Sequence, residues 1–376
     1  MKSLKVMTIV GTRPEIIRLS RVISLLDKTV NHILVHTEQN YDYELNQVFF
    51  EDLELRKPDY FLDVDVSSLG TAVGDIMRKS EEVLLKEKPD AVLVLGDTNS
   101  CLSAYMAKRM HIPIYHMEAG NRCFDFNVPE ETNRRIIDHI ADFNLIYTEH
   151  ARRHLISEGL PHRRIYLTGS PMNEVLKYYY PKIEKSNVLD LLALKKKDYF
   201  LVSIHREENV DNTKNLIELI NTLNKISEIY EKRIIVSTHP RTRKRLDSLN
   251  DISLNKKIEF LKPFGFLDYN KLQMNALCVL SDSGTINEES TMLNFPAITV
   301  RNSMERPEGL DTGSIILTGL HYQTIINSID LTLREKENKI ETEYTPDYKV
   351  GNTSWRVVKL ILGTTKLSNK WNGIEK

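Results

Sequence analysis

Cysteine is scarce in this chain of 376 residues: Cys101, Cys123 and Cys278 are the only three, and they lie far apart. That excludes a disulfide framework and a CxxC metal site. No run approaches the roughly 18 apolar positions of a membrane span. The start, Met1 into Lys5-Val-Met-Thr-Ile-Val10, is too short for the apolar part of a signal peptide. Net charge is also scarce, with 51 basic against 52 acidic residues, so the basic excess that favours nucleic-acid binding is missing. Local basic runs at 195–197 and 241–245 read as solvated faces. The chain has no GxGxxG and no GK[ST] loop, which argues against a bound nicotinamide or P-loop ATP. HExxH and GxSxG are absent as well. What is present is an ordinary globular balance, 27% charged and 41% hydrophobic, in a length that predicts about two domains. The expected class is a soluble cytoplasmic enzyme with neither metal nor cofactor.

Short β-branched runs alternate with longer segments of helical period. Val6 to Val10 ends at Gly11-Thr12-Arg13-Pro14, where Pro14 suits a first helical turn, and Glu15 to Leu26 follows with helical spacing. The unit recurs with strands predicted near 33–35, 91–95, 112–115, 143–147 and 165–168. Between about Lys177 and Asp198 the rhythm breaks into what reads as an irregular, charged connection. It restarts with strands predicted near 199–204, 234–237, 258–261, 277–280, 297–300 and 315–317. Near-continuous apolar strands divided by helices predict parallel sheets covered on both faces. The expected domains are 1–177, joined by a C-terminal helix over 353–376, and 178–352, with ligand bound in the cleft they face across.

The strand ends are unusually polar. The first finishes in Gly11-Thr12-Arg13, the second in His36-Thr37-Glu38-Gln39, the third in Gly96-Asp97-Thr98, and the fourth in His116-Met117-Glu118. In the second half the ends are His205-Arg206-Glu207, His239-Pro240-Arg241 and Asp282-Ser283-Gly284. Each alone has an ordinary structural explanation, such as a helix cap at Asp97 or a turn at Gly11. Seven together predict one ligand-facing edge, because open parallel sheets bind beyond the carboxyl ends of their strands. Asp97, Glu118 and Glu130 offer carboxylates for proton transfer, and Arg13, Arg206 and Arg306 offer charge for a phosphate. Ser283-Gly284 precedes a predicted helix over 286–293, whose N-terminus favours an anion, and Glu288 and Glu289 within it are candidates for ribose hydroxyls. Spacing therefore points to a phosphate-bearing substrate and carboxylate acid/base chemistry.

At these residues the sequence resembles the non-hydrolysing UDP-N-acetylglucosamine 2-epimerase family, over essentially the whole chain. The matching motifs are Gly11-Thr12-Arg13-Pro14-Glu15, His36-Thr37 with Gln39, Gly96-Asp97-Thr98, and Glu118-Ala119-Gly120 with Arg122. Further along they are Pro129-Glu130-Glu131 with Asn133-Arg134, His205-Arg206-Glu207, Asp282-Ser283-Gly284 with Glu288-Glu289, and Glu305-Arg306-Pro307-Glu308. The resemblance implies a GT-B-like α/β fold of two Rossmann-like domains, a homodimer, and a UDP-N-acetylated amino sugar as substrate, with no added cofactor. It implies inversion at C2 through loss and re-addition of UDP, with Asp97, Glu118 and Glu130 as acid/base groups and His205 assisting the diphosphate. Arg13, His205, Ser283 and Gly284 are implied at the diphosphate, Glu289 at the ribose and Arg306 on the uridine side. Arg18, Gln39, Arg134, His239 and Glu288 complete the implied substrate contacts.

The chain departs from the common family pattern at Arg18, at Gln39-Asn40 and after Glu118-Ala119-Gly120, where it reads Asn121-Arg122-Cys123-Phe124-Asp125. That run, with 127–131, is similar to the subgroup that converts UDP-2-acetamido-2,6-dideoxy-L-talose to UDP-N-acetyl-L-fucosamine for capsule or O-antigen. The alternatives are conversion of UDP-GlcNAc to UDP-ManNAc, a GT-B glycosyltransferase, a hydrolysing relative, and a non-catalytic UDP-sugar sensor.

Overall fold

The computed structural model describes residues 4–37, 48–249, 253–304, 306–340 and 345–374. The chain divides into two compact units, Met1–Tyr178 with Pro346–Lys376, and Tyr179–Thr345. Each is a parallel sheet with helices between successive strands.

The first unit holds β1 (Lys5–Val10), β2 (Asn31–His36), β3 (Tyr60–Phe61), β4 (Ala91–Leu95), β5 (Ile114–Met117), β6 (Phe143–Ile146) and β7 (Ile165–Leu167). Their order is β3-β2-β1-β4-β5-β6-β7, all parallel, with Val6 paired to His32 on one side and Ala91 on the other. Strands β1 and β4 are buried almost end to end, which is why they read as unbroken apolar runs. One core lies under Met7, Ile9, Val92, Val94, Ile76 and Leu84. The terminal helix Thr353–Trp371 packs along Arg13–Thr29, and the Tyr115 hydroxyl bonds Thr364 at 2.6 Å and Thr365 at 3.1 Å.

The second unit holds β8 (Tyr199–Ser203), β9 (Arg233–Ser237), β10 (Ile258–Leu261), β11 (Cys278–Ser281), β12 (Ala297–Thr299) and β13 (Ile316–Leu317). The order β10-β9-β8-β11-β12-β13 repeats the plan of the first sheet. Cores form on both faces, around Phe200, Val202, Ile234 and Leu280 on one and Tyr199, Leu201, Ile235 and Val279 on the other.

The expectation of an irregular connection from Lys177 to Asp198 is corrected. A helix runs over Met172–Lys185 straight through Pro181, and a short one follows at Val188–Leu191. An interior proline costs about 3 kcal/mol. Val175, Leu176, Tyr179 and Ile183 are buried at helical spacing, and each contributes roughly 1.5–3 kcal/mol, which outweighs that loss. The two-residue β3 had no legible signal, being too short for alternation to show.

Candidate active site

Both sheets reverse their strand order once, between β1 and β4 and between β8 and β11. At such a switch point the helices depart to opposite faces and leave a crevice at the carboxyl ends. The polar strand ends predicted from sequence fall at these places and beside them.

In the first unit, Gly11 to Arg13 leave β1, with Arg13 opening its helix, and Asp97 follows β4. A Cβ on Gly11 would lie 2.5 Å from Thr37 Oγ1 and 2.9 Å from Ser100 Cβ, so only glycine lets these turns close up. Asp97 Oδ2 accepts from Arg134 Nη2 at 2.6 Å and from Nε at 3.0 Å. Glu118 leaves β5 with φ at 68°, a left-handed conformation that strains any residue bearing a Cβ. Its carboxylate accepts from Arg18 Nη1 and from Asn121 Nδ2, the latter at 3.2 Å. Arginine thus fixes the rotamer of each of the two strand-end carboxylates. Glu130 sits in the first turn of the helix Pro129–Ile140, half-buried, where the helix dipole favours a negative charge.

Glu15 lies beneath these turns. Its carboxyl is buried and accepts from the Gly11 N–H at 2.8 Å, Thr12 at 2.9 Å, Ser100 at 3.0 Å and the Thr98 hydroxyl. Burial raises its pKa from 4.5 to about 7, although those four donors pull the other way. A carboxyl raised on folding supplies stability that is complete below pH 4.5 and lost as pH climbs through 7, here about 3 kcal/mol. In Glu15→Gln the amide nitrogen can donate to the Thr12 and Thr98 hydroxyls while the oxygen accepts from Gly11 and Ser100. Urea unfolding should therefore show the parent weakening between pH 5 and 8 and the variant holding level. An equal decline in both would contradict this assignment.

In the second unit His205 follows β8 and Asp282 follows β11. Asp282 is fully buried, and its carboxylate accepts from the backbone N–H of His205 at 3.1 Å, that of Arg206 at 2.9 Å and Asn209 Nδ2 at 3.1 Å. His205 Nδ1 lies 3.2 Å from the same carboxylate, while the histidine side chain stays 44% exposed. His239 caps the helix Pro240–Asp247 by accepting from the Arg241 N–H, and its ring centroid is 6.3 Å from that of His205. Ser283 and Gly284 precede the helix Ile286–Leu293 as expected.

Glu289 accepts from Gln273 Nε2 at 2.7 Å. Glu288, expected at a ribose, is instead fully buried, with Arg306 Nη1 2.8 Å from its Oε2. Arg306 is itself buried and also donates to the Gly284 carbonyl at 3.4 Å, so this pair braces the Ser283-Gly284 turn. Gln39 lies outside the described residues. Sequence reasoning assigned no role to Asp282, Glu15 or Glu131. The last accepts from Arg134 Nη1 at 2.9 Å and from Arg135 Nη2 at 3.0 Å. The signal that could have found it is the run of ionisable residues 131, 134, 135 and 138, spaced to share one face of a helix.

Among the described residues no group of three or more His, Cys, Asp or Glu is placed to hold a metal ion, and no helix is long and apolar enough to cross a membrane. The model of the family described as UDP-N-acetylglucosamine 2-epimerase matches residues 25–362. The chain belongs to that family. It is an isomerase, and the family's members are C2 epimerases of UDP-sugars. The structure of UDP-N-acetylglucosamine 2-epimerase from Rickettsia bellii is 50% identical, with a TM-score of 0.91 over 99% of this chain and 100% of that one. That of the Methanocaldococcus jannaschii UDP-GlcNAc 2-epimerase, in complex with UDP-GlcNAc and UDP, is 38% identical, with a TM-score of 0.88 over 96% of this chain and 99% of that one. A Pseudomonas aeruginosa relative, UDP-2,3-diacetamido-2,3-dideoxy-D-glucuronate 2-epimerase, is 33% identical over 88% of this chain and 92% of its own. The two-sheet Rossmann-like architecture of this epimerase is thus that of solved GT-B-like members.

Proposed function

We propose that the epimerase inverts C2 of a UDP-linked 2-acetamido sugar by eliminating UDP and adding it back. A carboxylate takes the C2 proton, the C–H electron pair becomes the C1=C2 double bond, and the C1–O pair leaves with the diphosphate. UDP oxygen then re-forms the bond to C1 while a second carboxyl returns a proton to the opposite face of C2. The supporting observation is that Asp97 and Glu118 end adjacent strands, β4 and β5, with Glu130 opening the next helix. A proton alpha to an acetal carbon is a very poor acid, so proton removal and departure of the diphosphate must support each other. Arg13, His205 and the N–H groups at Ser283-Gly284 supply the charge and dipoles for the departing diphosphate. Glu289 holds the ribose, Arg306 shapes the uridine side through its hold on Gly284, and Arg18, Arg134, His239 and Glu288 position these groups.

The substrate we favour is UDP-2-acetamido-2,6-dideoxy-L-talose, giving UDP-N-acetyl-L-fucosamine for capsule or O-antigen in a cytoplasmic homodimer. The support is the segment 121–131, which follows Glu118 and includes Glu130, and in which Phe124 and Phe126 are exposed and Phe124 has φ at 55°. A 6-deoxy sugar presents a methyl group that such apolar surface suits. The second reading, UDP-GlcNAc to UDP-ManNAc, is favoured by the names of the Rickettsia and Methanocaldococcus relatives. Purified protein incubated with each nucleotide sugar, with C2 configuration followed by NMR, decides between them. Inversion of the 6-deoxy-L sugar is expected, and turnover of UDP-GlcNAc alone would overturn the preference.

A further inference from the structure

The helix Pro129–Ile140 carries a stripe of charge that should face water but is largely buried: Glu131, Arg134 and Asp138 are all at most 4% exposed. From Asp97 the contacts run in one line. Arg134 bonds Asp97 at 2.6 Å and Glu131 at 2.9 Å. Arg135 joins Glu131, at 3.0 Å, to Glu158, at 2.9 Å. Arg122 grips Glu158 with Nε at 2.8 Å and Nη2 at 2.5 Å, and reaches Asp138 with Nη1 at 2.8 Å. Asp138 Oδ1 lies 2.9 Å from His116 Nδ1, and His116 Nε2 lies 2.9 Å from the carbonyl of Gly96. Gly96 is the residue before Asp97, so the line closes on itself.

Hydrogen-bond accounting bears on both ring nitrogens of His116. A carbonyl oxygen can only accept. Asp138 already accepts from Arg122 and from the Gly120 N–H at 3.1 Å. The Arg122 guanidinium 2.8 Å away, itself fully buried, favours Asp138 as a carboxylate rather than as a donor. Both imidazole nitrogens thus face acceptors, an arrangement that suits hydrogen on each. The charges agree: with a cationic His116, four cations face the four carboxylates Asp97, Glu131, Asp138 and Glu158. A neutral imidazole would leave one buried negative charge in excess.

We propose that His116 is a positioning residue of the epimerase, a doubly protonated imidazole that closes this circuit. It fixes the Gly96 carbonyl, and so the Gly96-Asp97 turn, from one side while Arg134 fixes the Asp97 carboxylate from the other. Through Asp138 the same circuit holds the Gly120 N–H, and through Arg122 the Asn121 carbonyl at 2.7 Å, which steadies the turn that follows Glu118. The inference rests on the reading of Asp97 and Glu118 as proton-transfer groups.

The first test is a long-range 1H–15N correlation spectrum of the full chain labelled at histidine nitrogen, with His116 assigned by its loss in His116→Gln. Hydrogen on both His116 nitrogens is expected, and a bare nitrogen overturns the proposal. The second is kinetic. Asparagine places its amide near the position of Nδ1 and keeps Asp138 but cannot reach Gly96, whereas glutamine places its amide near Nε2 and keeps Gly96. His116→Asn should lower kcat about 100-fold with little change in KM, the scale expected of a misplaced reacting group, and His116→Gln, which keeps the Gly96 bond, should be slower than the parent but faster than His116→Asn. Turnover is counted per UDP-binding site, so loss of fold is not mistaken for loss of rate. Parent-like turnover in His116→Asn overturns the proposal. Should Asp97→Asn be fully active, the proton-transfer reading fails by itself, while a slow Asp97→Asn beside a parent-like His116→Asn sinks the circuit alone.

Discussion

Replacing Asp97 with Asn, or Glu118 with Gln, is expected to slow C2 inversion by about 10²–10⁴-fold while leaving UDP binding nearly unchanged. The range is what a positioned general acid or base typically contributes. Each amide keeps the shape of the carboxyl group, so Arg134 and Arg18 retain an oxygen to bond, and what is lost is the capacity to take up a proton. The expected kinetic signature is a fall in kcat and kcat/KM together, because the lost interaction exists only in the transition state. Glu118 has a second consequence. Its backbone is held at φ 68°, so Glu118→Gly would relieve strain while abolishing chemistry, but it also strands the buried Arg18 guanidinium, and it should be both inactive and less stable. The measurement is turnover by NMR beside titration of UDP, and a variant as fast as the parent would remove that residue from the mechanism.

The second large effect is on folding. Arg306→Met removes the cation beside Glu288, whose carboxylate is fully buried. Breaking a buried pair by deleting one partner typically costs about 3–5 kcal/mol, because the remaining charge is stranded. Removing both, in Arg306→Met with Glu288→Gln, should restore most of that loss in a urea titration, since the desolvated charge is gone. The Ser283-Gly284 turn loses its brace in either case, so UDP affinity should stay weak in the double variant even where stability returns. A double variant as unstable as the single one would show that the pair is not what the arginine serves.

Much of this architecture is legible in the order of residues. Strands β1, β4, β5, β8 and β11 are buried on both faces, so they appear as near-continuous apolar runs, and the polar residues that follow each one stand out against them. Asp97, Glu118, His205 and the Ser283-Gly284 turn were visible for that reason. The circuit through Glu131, Glu158, Arg122 and His116 was not, because its partners come from separate segments and only folding brings Arg122 to Glu158. The pairing of Glu288 with Arg306 is hidden on the same ground: a buried ion pair and a pair of ligand-binding groups use the same residue types. The helix through Pro181 shows the converse, a local breaker overruled by four buried side chains.

In the proposed reaction carboxyl groups lift hydrogen from one face of the sugar and a solvent-exchangeable hydrogen returns on the other. Incubation in D₂O with UDP-2-acetamido-2,6-dideoxy-L-talose and with UDP-GlcNAc, followed by NMR at C2, reads this directly. The inverted product is expected to carry deuterium at C2, with exchange lost in Asp97→Asn. Inverted product that keeps its original hydrogen would contradict it.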